Sequence, residues 1–107
     1  MTHGIQMGNA VGAYLLSSSI NVAEVAANTT AEQTFTFAGL KVGDVVFVNK
    51  PSLEAGLGMV NARVSAANTL AITFVNATGA PINPAAETYY IAVLRPESQV
   101  PASVISD

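Results

Sequence analysis

The sequence contains no cysteine, no tryptophan and a single histidine, His3, in 107 residues. Disulfide bonds and thiolate chemistry are therefore excluded. A Ser-His-Asp catalytic set requires a histidine that packing holds in place, and His3 lies at the N-terminus, so we predict no catalytic residue and no enzyme. The carboxylates are scattered singly with no Asp-x-Asp pattern, so we predict neither a metal site nor a cofactor.

Charge is scarce as well. Only 10% of the residues are Asp, Glu, Lys or Arg, against roughly 25% in typical soluble proteins. The formal net charge is −3 and there is no basic cluster, so nucleic acid and membranes are not expected partners. A surface built from Thr, Ser, Asn and Ala repels its own copies weakly. This composition favours a subunit of a larger assembly over a free monomer.

The first 23 residues carry no charged side chain, which raises the question of a targeting signal. A secretory signal needs a positively charged start and an apolar run of about 7 to 15 residues. Here the apolar run over residues 10–16 is interrupted by Gly12 and followed by serines. We therefore expect no signal peptide, and no run reaches the about 20 apolar residues of a membrane span.

Short apolar stretches separated by Gly, Pro and Asn make up the rest of the chain. Between residues 20 and 94 no stretch has the 3.6-residue apolar period of a long helix. We therefore predict an all-β fold, a small antiparallel β-sandwich of about six to eight strands that is jelly-roll or Greek-key like. The predicted strands cover residues 20–26, 34–37, 44–48, 57–66, 69–75 and 88–94.

Both ends of the chain differ from this middle part. The N-terminal end has glycines at positions 4, 8 and 12 and no clear strand period, and the C-terminal end holds two prolines. We predict extended arms, although a helix over residues 10–17, weakened by Gly12, is an alternative for part of the first. The predicted division is an N-terminal arm at 1–19, one β-sandwich domain at 20–95 and a C-terminal arm at 96–107.

The tetrapeptide Ala-Ala-Asn-Thr occurs twice, around Asn28 and Asn68. Phe35 lies seven residues after the first asparagine, but Phe74 lies six after the second. A one-residue slip turns a strand side chain to the opposite face, so the two copies are not equivalent repeats. Asparagine accepts the left-handed backbone conformation, which predicts a hairpin turn at 66–69 and a looser corner at the first copy.

Two of the predicted strands, 44–48 and 88–94, are apolar on both faces. One face packs on the core, so the second needs another cover, which a neighbouring subunit would supply. The alternative is that small residues such as Val45 and Ala92 tolerate water. The residues predicted at a subunit interface are Val45, Phe47, Tyr90 and Leu94.

The run from residue 22 to residue 95 resembles a β-sandwich module common in structural proteins of tailed bacteriophages. The stretches VAANTTAEQTFTFAGLKVGDVVFVNKP, AGL, VSAANTLAITFVNATGAPINP and YYIAVLRP carry the resemblance. A chain of this size is similar to the head decoration, or cement, proteins that bind the outer capsid, often as trimers. The module also occurs in tail fibres and spikes.

The resemblance implies a structural protein at the capsid surface of the virion that stabilises the head. Its partners would be the major capsid protein and its own copies, with a homotrimer favoured, and many weak contacts would add through multivalency. The alternative is a receptor- or carbohydrate-binding module of a tail fibre or spike; a small glycosidase would need two carboxylates in one cleft. The residues predicted to anchor the N-terminal arm to the capsid are Ile5, Met7, Val11, Tyr14, Leu15 and Leu16.

Overall fold

The computed structural model describes residues 10–96, and these residues form six β-strands and no helix. Val, Ile, Thr and aromatic residues make up nearly half of the strand residues, in line with their β-propensity. The all-β fold class predicted from the sequence is confirmed. The strands are β1 (Ala10–Ile20), β2 (Thr29–Thr36), β3 (Val45–Asn49), β4 (Leu57–Ala66), β5 (Thr69–Asn76) and β6 (Glu87–Pro96).

The strands pair into two three-stranded antiparallel sheets, with the orders β1-β6-β3 and β2-β5-β4. Only the hairpin between β4 and β5 connects consecutive strands within one sheet. Every other connection passes from one sheet to the other, so the linker between β5 and β6 crosses between the sheets. The predicted antiparallel β-sandwich is compatible with this order.

The N-terminal boundary predicted at residues 19/20 is wrong. Residues 10–20 form β1, which pairs with β6 from Ala10 opposite Pro96 to Ile20 opposite Glu87. The predicted strand at 20–26 is absent, and only Val25 makes a bridge there. The alternative helix at 10–17 is also wrong, because β6 supplies hydrogen-bond partners along that segment. The remaining parts of both predicted arms lie outside the described residues.

The core lies between the two central strands. Alternate residues of β5 and of β6 face each other across the sandwich, and each of these side chains is at most 2% exposed. Burying one such side chain stabilises the fold by about 1.5–3 kcal/mol. These central residues are Leu70, Ile72 and Phe74 of β5 and Tyr89, Ile91 and Val93 of β6.

The predicted hairpin at residues 66–69 is confirmed, since Asn68 sits between β4 and β5 with φ 61°. Asn28 adopts φ 51° in the first copy of the tetrapeptide. In each copy the threonine hydroxyl donates to the alanine carbonyl two residues earlier: Thr69 to Ala67 and Thr29 to Ala27. The two copies adopt the same kind of local turn. In the strands that follow, side chains at equivalent positions point to opposite faces.

A buried amide, Asn76, fixes the crossing from β5 to β6. It has no exposed surface, and its Nδ2 donates to the carbonyls of Val25 at 3.1 Å and Ala80 at 2.8 Å. Its Oδ1 accepts from the backbone N–H and the hydroxyl of Thr78, at 2.9 and 2.7 Å. Two backbone bonds between Val25 and Ile82, of 2.8 and 3.0 Å, lie beside it.

An ion pair joins the turn before β3 to the end of β6. Arg95 donates from Nε and from its terminal nitrogen to the two carboxylate oxygens of Asp44, at 2.9 and 2.7 Å. The Asp44 side chain is only 2% exposed. The bonds from Arg95, aided by the backbone N–H of Lys41, hold the pKa of Asp44 below its ordinary value although burial opposes this.

We expect Asn76→Ala to lower the free energy of unfolding by about 3 kcal/mol, because it removes the four hydrogen bonds that the buried amide makes to Val25, Ala80 and Thr78. Urea denaturation of the purified chain measures this. Asn83→Ala, at an exposed position of the same linker, is the control and should change the value by less than about 0.5 kcal/mol. Equal effects of the two substitutions would contradict the role given to Asn76.

The Asp44–Arg95 pair predicts a pH dependence. The pKa of Asp44 is lower in the folded than in the unfolded chain, so its contribution is present above about pH 4 and is lost as pH falls through the folded value. The free energy of unfolding should therefore fall more steeply between about pH 5 and pH 2 in the wild type than in Asp44→Asn. Parallel curves would refute this, and Glu24→Gln, at an exposed position, is the control.

Candidate protein-binding face

The outer side of the β1-β6-β3 sheet is an apolar surface. Strand alternation places Tyr89, Ile91 and Val93 of β6 in the core and turns the intervening residues outward. The register puts outward residues of β1 and β3 on either side of each outward residue of β6. This apolar face consists of the rows Ala13–Leu94–Val45, Leu15–Ala92–Phe47 and Ser17–Tyr90–Asn49.

Five large side chains of the apolar face are exposed. The exposed fraction is 78% for Leu15, 60% for Phe47, 49% for Val45, 47% for Tyr90 and 40% for Leu94. No residue in the three rows is charged. The small Ala92 lies at the centre of the face, flanked by Leu15 and Phe47.

The structure brings together all four residues predicted at a subunit interface, Val45, Phe47, Tyr90 and Leu94. Their role in an interface remains a prediction. Leu15 also belongs to this face, although its sequence position predicted that it would lie in an N-terminal arm. The signal that could have placed it is the alternation over residues 14–20, in which Leu16 and Ile20 lie on the core side.

The predicted capsid-binding arm is corrected in part. Tyr14, Leu15 and Leu16 lie in β1 and are paired with β6, so they do not belong to a separate arm. Leu16 packs against the core, and the Tyr14 ring lies 5.3 Å from the Arg95 guanidinium carbon. Val11 also belongs to β1. The other two predicted anchors, Ile5 and Met7, lie outside the described residues.

The outer side of the other sheet is polar. Threonines of β2 and β5 line it, together with Asn61 of β4. Arg63 of β4 donates to both oxygens of Glu32 on β2 across the central strand, at 2.8 and 2.9 Å. One outer surface of the sandwich is thus suited to water, whereas the apolar face is not.

The apolar surface continues past the edge of β3. An open groove of about 280 Å³ runs between β3 and β4, with Phe47, Met59 and Val60 among its lining residues. A register shift in β4 between Met59 and Asn61 turns Val60 outward, where it is 59% exposed. Phe47 belongs to both surfaces, so a partner seated on the apolar face can also reach the groove.

Two carboxylates meet at Lys50, whose side chain is 8% exposed. Lys50 pairs with Glu54 and, at 2.9 Å, with Glu87, which also accepts from the Ser52 hydroxyl at 2.8 Å. Although burial opposes its charge, these bonds raise the pKa of Lys50. The bonds from Lys50 lower the pKa of both carboxyls. A glycosidase acid needs a raised pKa, whereas the pKa of both carboxyls is lowered here.

The described residues contain no group of three or more His, Asp or Glu side chains placed to hold a metal ion. His3 lies outside them. Nor does the described part of the chain include a helix long and apolar enough to cross a membrane.

Comparisons with protein-family models, with curated proteins and with solved structures found no match to this chain.

Proposed function

We propose that the chain is a non-enzymatic structural protein of a tailed-bacteriophage particle, a decoration protein that binds the outer capsid surface and stabilises the head. The observation that carries the proposal is the apolar face, on which five large side chains are 40% to 78% exposed. A contiguous uncharged apolar patch on a soluble protein indicates a protein–protein contact. The overall scarcity of charge points the same way.

The size of the apolar face favours a repeated contact. Three strands about 4.8 Å apart, with outward residues about 6.8 Å apart, give a face of roughly 15 by 20 Å. A stable one-to-one interface buries about 800 Å² on each partner, which is more than this face alone provides. Many copies on a capsid lattice compensate for a weak individual contact through multivalency.

In this proposal the apolar face joins neighbouring copies of the chain, and the resemblance favours three copies in each group. The major capsid protein is the second partner. Ile5 and Met7 remain the predicted capsid anchors, whereas Leu15 moves from the anchor set to the face between copies. The groove beside Val60 extends the contact around the edge of β3.

A carbohydrate- or receptor-binding module of a tail fibre is the second candidate. The row Ser17–Tyr90–Asn49 favours it, because an exposed aromatic ring beside a hydroxyl and an amide can stack on a sugar. A single ring of this kind provides less than the several aromatic side chains that a sugar platform usually needs.

Placing a charge on the apolar face, beside its central Ala92, should strongly reduce decoration. We expect Phe47→Lys to reduce at least tenfold the amount of chain that co-sediments with heads of the encoding phage prepared without it, because a lysine ammonium would have to be desolvated. Thr34→Lys, on the polar outer side of β2, is the matched control and should bind like the wild type. Far-UV circular dichroism establishes that both variants are folded.

Two results would contradict the proposal. One is a wild-type chain that does not bind heads, and the other is equal binding by the two lysine variants. Binding of the isolated chain to an array of glycans, with loss of that binding in Tyr90→Ala, would favour the tail-fibre candidate instead.

A further inference from the structure

The outer edge of β1 is an unprotected sheet edge. β1 is 11 residues long and lies at one end of the order β1-β6-β3. Within the described residues, no strand pairs with its outward N–H and C=O groups. Such groups are a template for pairing with another chain, and proteins usually protect them with charges, prolines, bulges or short strands.

The other three sheet edges carry such protection. β3 has only five residues and is followed directly by Lys50 and Pro51. β2 carries Glu32, and β4 carries Arg63 and two register shifts. β1 has no charged residue and no proline, and its register with β6 is regular from residue 12 to residue 20.

We propose that β1 pairs antiparallel with β1 of a second copy about a two-fold axis. The β1-β6-β3 sheets of the two copies then form one six-stranded sheet in the order β3-β6-β1-β1′-β6′-β3′, where primes mark the second copy. An isologous contact of this kind covers both edges at once. Because β1 carries no charge, no like charges face each other in any register of the pair, which makes a second copy a suitable occupant.

The pairing also enlarges the apolar face. Leu15 is the most exposed large side chain of that face and lies on the strand that forms the edge. Joining two copies at β1 places their apolar faces side by side on one continuous sheet. The doubled face, at roughly 30 by 20 Å, comes closer to the about 800 Å² that a stable contact buries on each partner.

The inference goes beyond the proposed function, because it names a contact of two-fold symmetry that is separate from the association through the apolar face. If two copies pair at β1, the mass of the purified oligomer is an even multiple of the chain mass. If the apolar face also joins three copies, the particle is a hexamer. Blocking β1 should therefore halve the mass in either case.

The test uses two proline variants of the full chain, Ser17→Pro and Ser18→Pro. Consecutive strand residues direct their N–H groups to opposite sides, so one proline removes a bond to β6 and the other removes an outward donor. We expect the variant that loses the outward donor to keep the wild-type circular dichroism spectrum. The same variant should show half the wild-type mass in multi-angle light scattering. Ser17→Ala and Ser18→Ala should keep both the spectrum and the mass.

Hydrogen exchange of the wild type provides a second measurement that does not depend on the folding of a variant. The outward N–H groups of β1 should exchange slowly at high concentration and at least tenfold faster after dilution to monomer. A wild-type mass that is an odd multiple of the chain mass overturns the inference. So does slow exchange that persists in a monomer, since another segment of the same chain would then cover β1. These measurements use the purified chain alone, so a result against β1 pairing would not count against capsid binding.

Discussion

The architecture depends on the buried amide of Asn76, which ties the end of β5 to Val25 and to the crossing that leads into β6. The crossing must leave one sheet and enter the other without exposing its backbone groups to an apolar interior. Asn76 supplies both donors and an acceptor where no strand can supply them. Its position lets β5 and β6 face each other, so both central strands contribute to one core.

The same arrangement produces the apolar face. β6 lies in the middle of its sheet, with Ile91 and Val93 in the core, and its other side has nothing against it in the described chain. Each large apolar side chain left in water forgoes about 1.5–3 kcal/mol relative to burial. The outer side of the β2-β5-β4 sheet avoids this cost with threonines and the Glu32–Arg63 pair. In the proposed assembly, association with other subunits would remove this cost for the β1-β6-β3 sheet.

Local patterns were sufficient to predict much of this fold. β4, β5 and β6 lie within two residues of their predicted bounds. Period-two alternation and the turn at Asn68 are both local signals that a short stretch of sequence contains. β1 was missed because three serines and Gly12 dilute its alternation. The meeting of Glu54 and Glu87 at Lys50 depends on which strands pair, and that long-range information is not present in any short stretch. The outward positions of the four predicted interface residues could be predicted because strand alternation alone assigns them to one face, whereas their role in an interface stays a prediction.

The most direct test of the apolar face as a buried contact is thiol accessibility in assembled particles. The chain has no cysteine, so Ser17→Cys on the apolar face and Thr34→Cys on the opposite polar surface each introduce a single reporter at an exposed position. In dilute free chains both thiols should react with a maleimide at similar rates. In particles the thiol at position 17 should react at least tenfold more slowly, while the thiol at position 34 should not. Equal reactivity of the two thiols in particles would contradict the account.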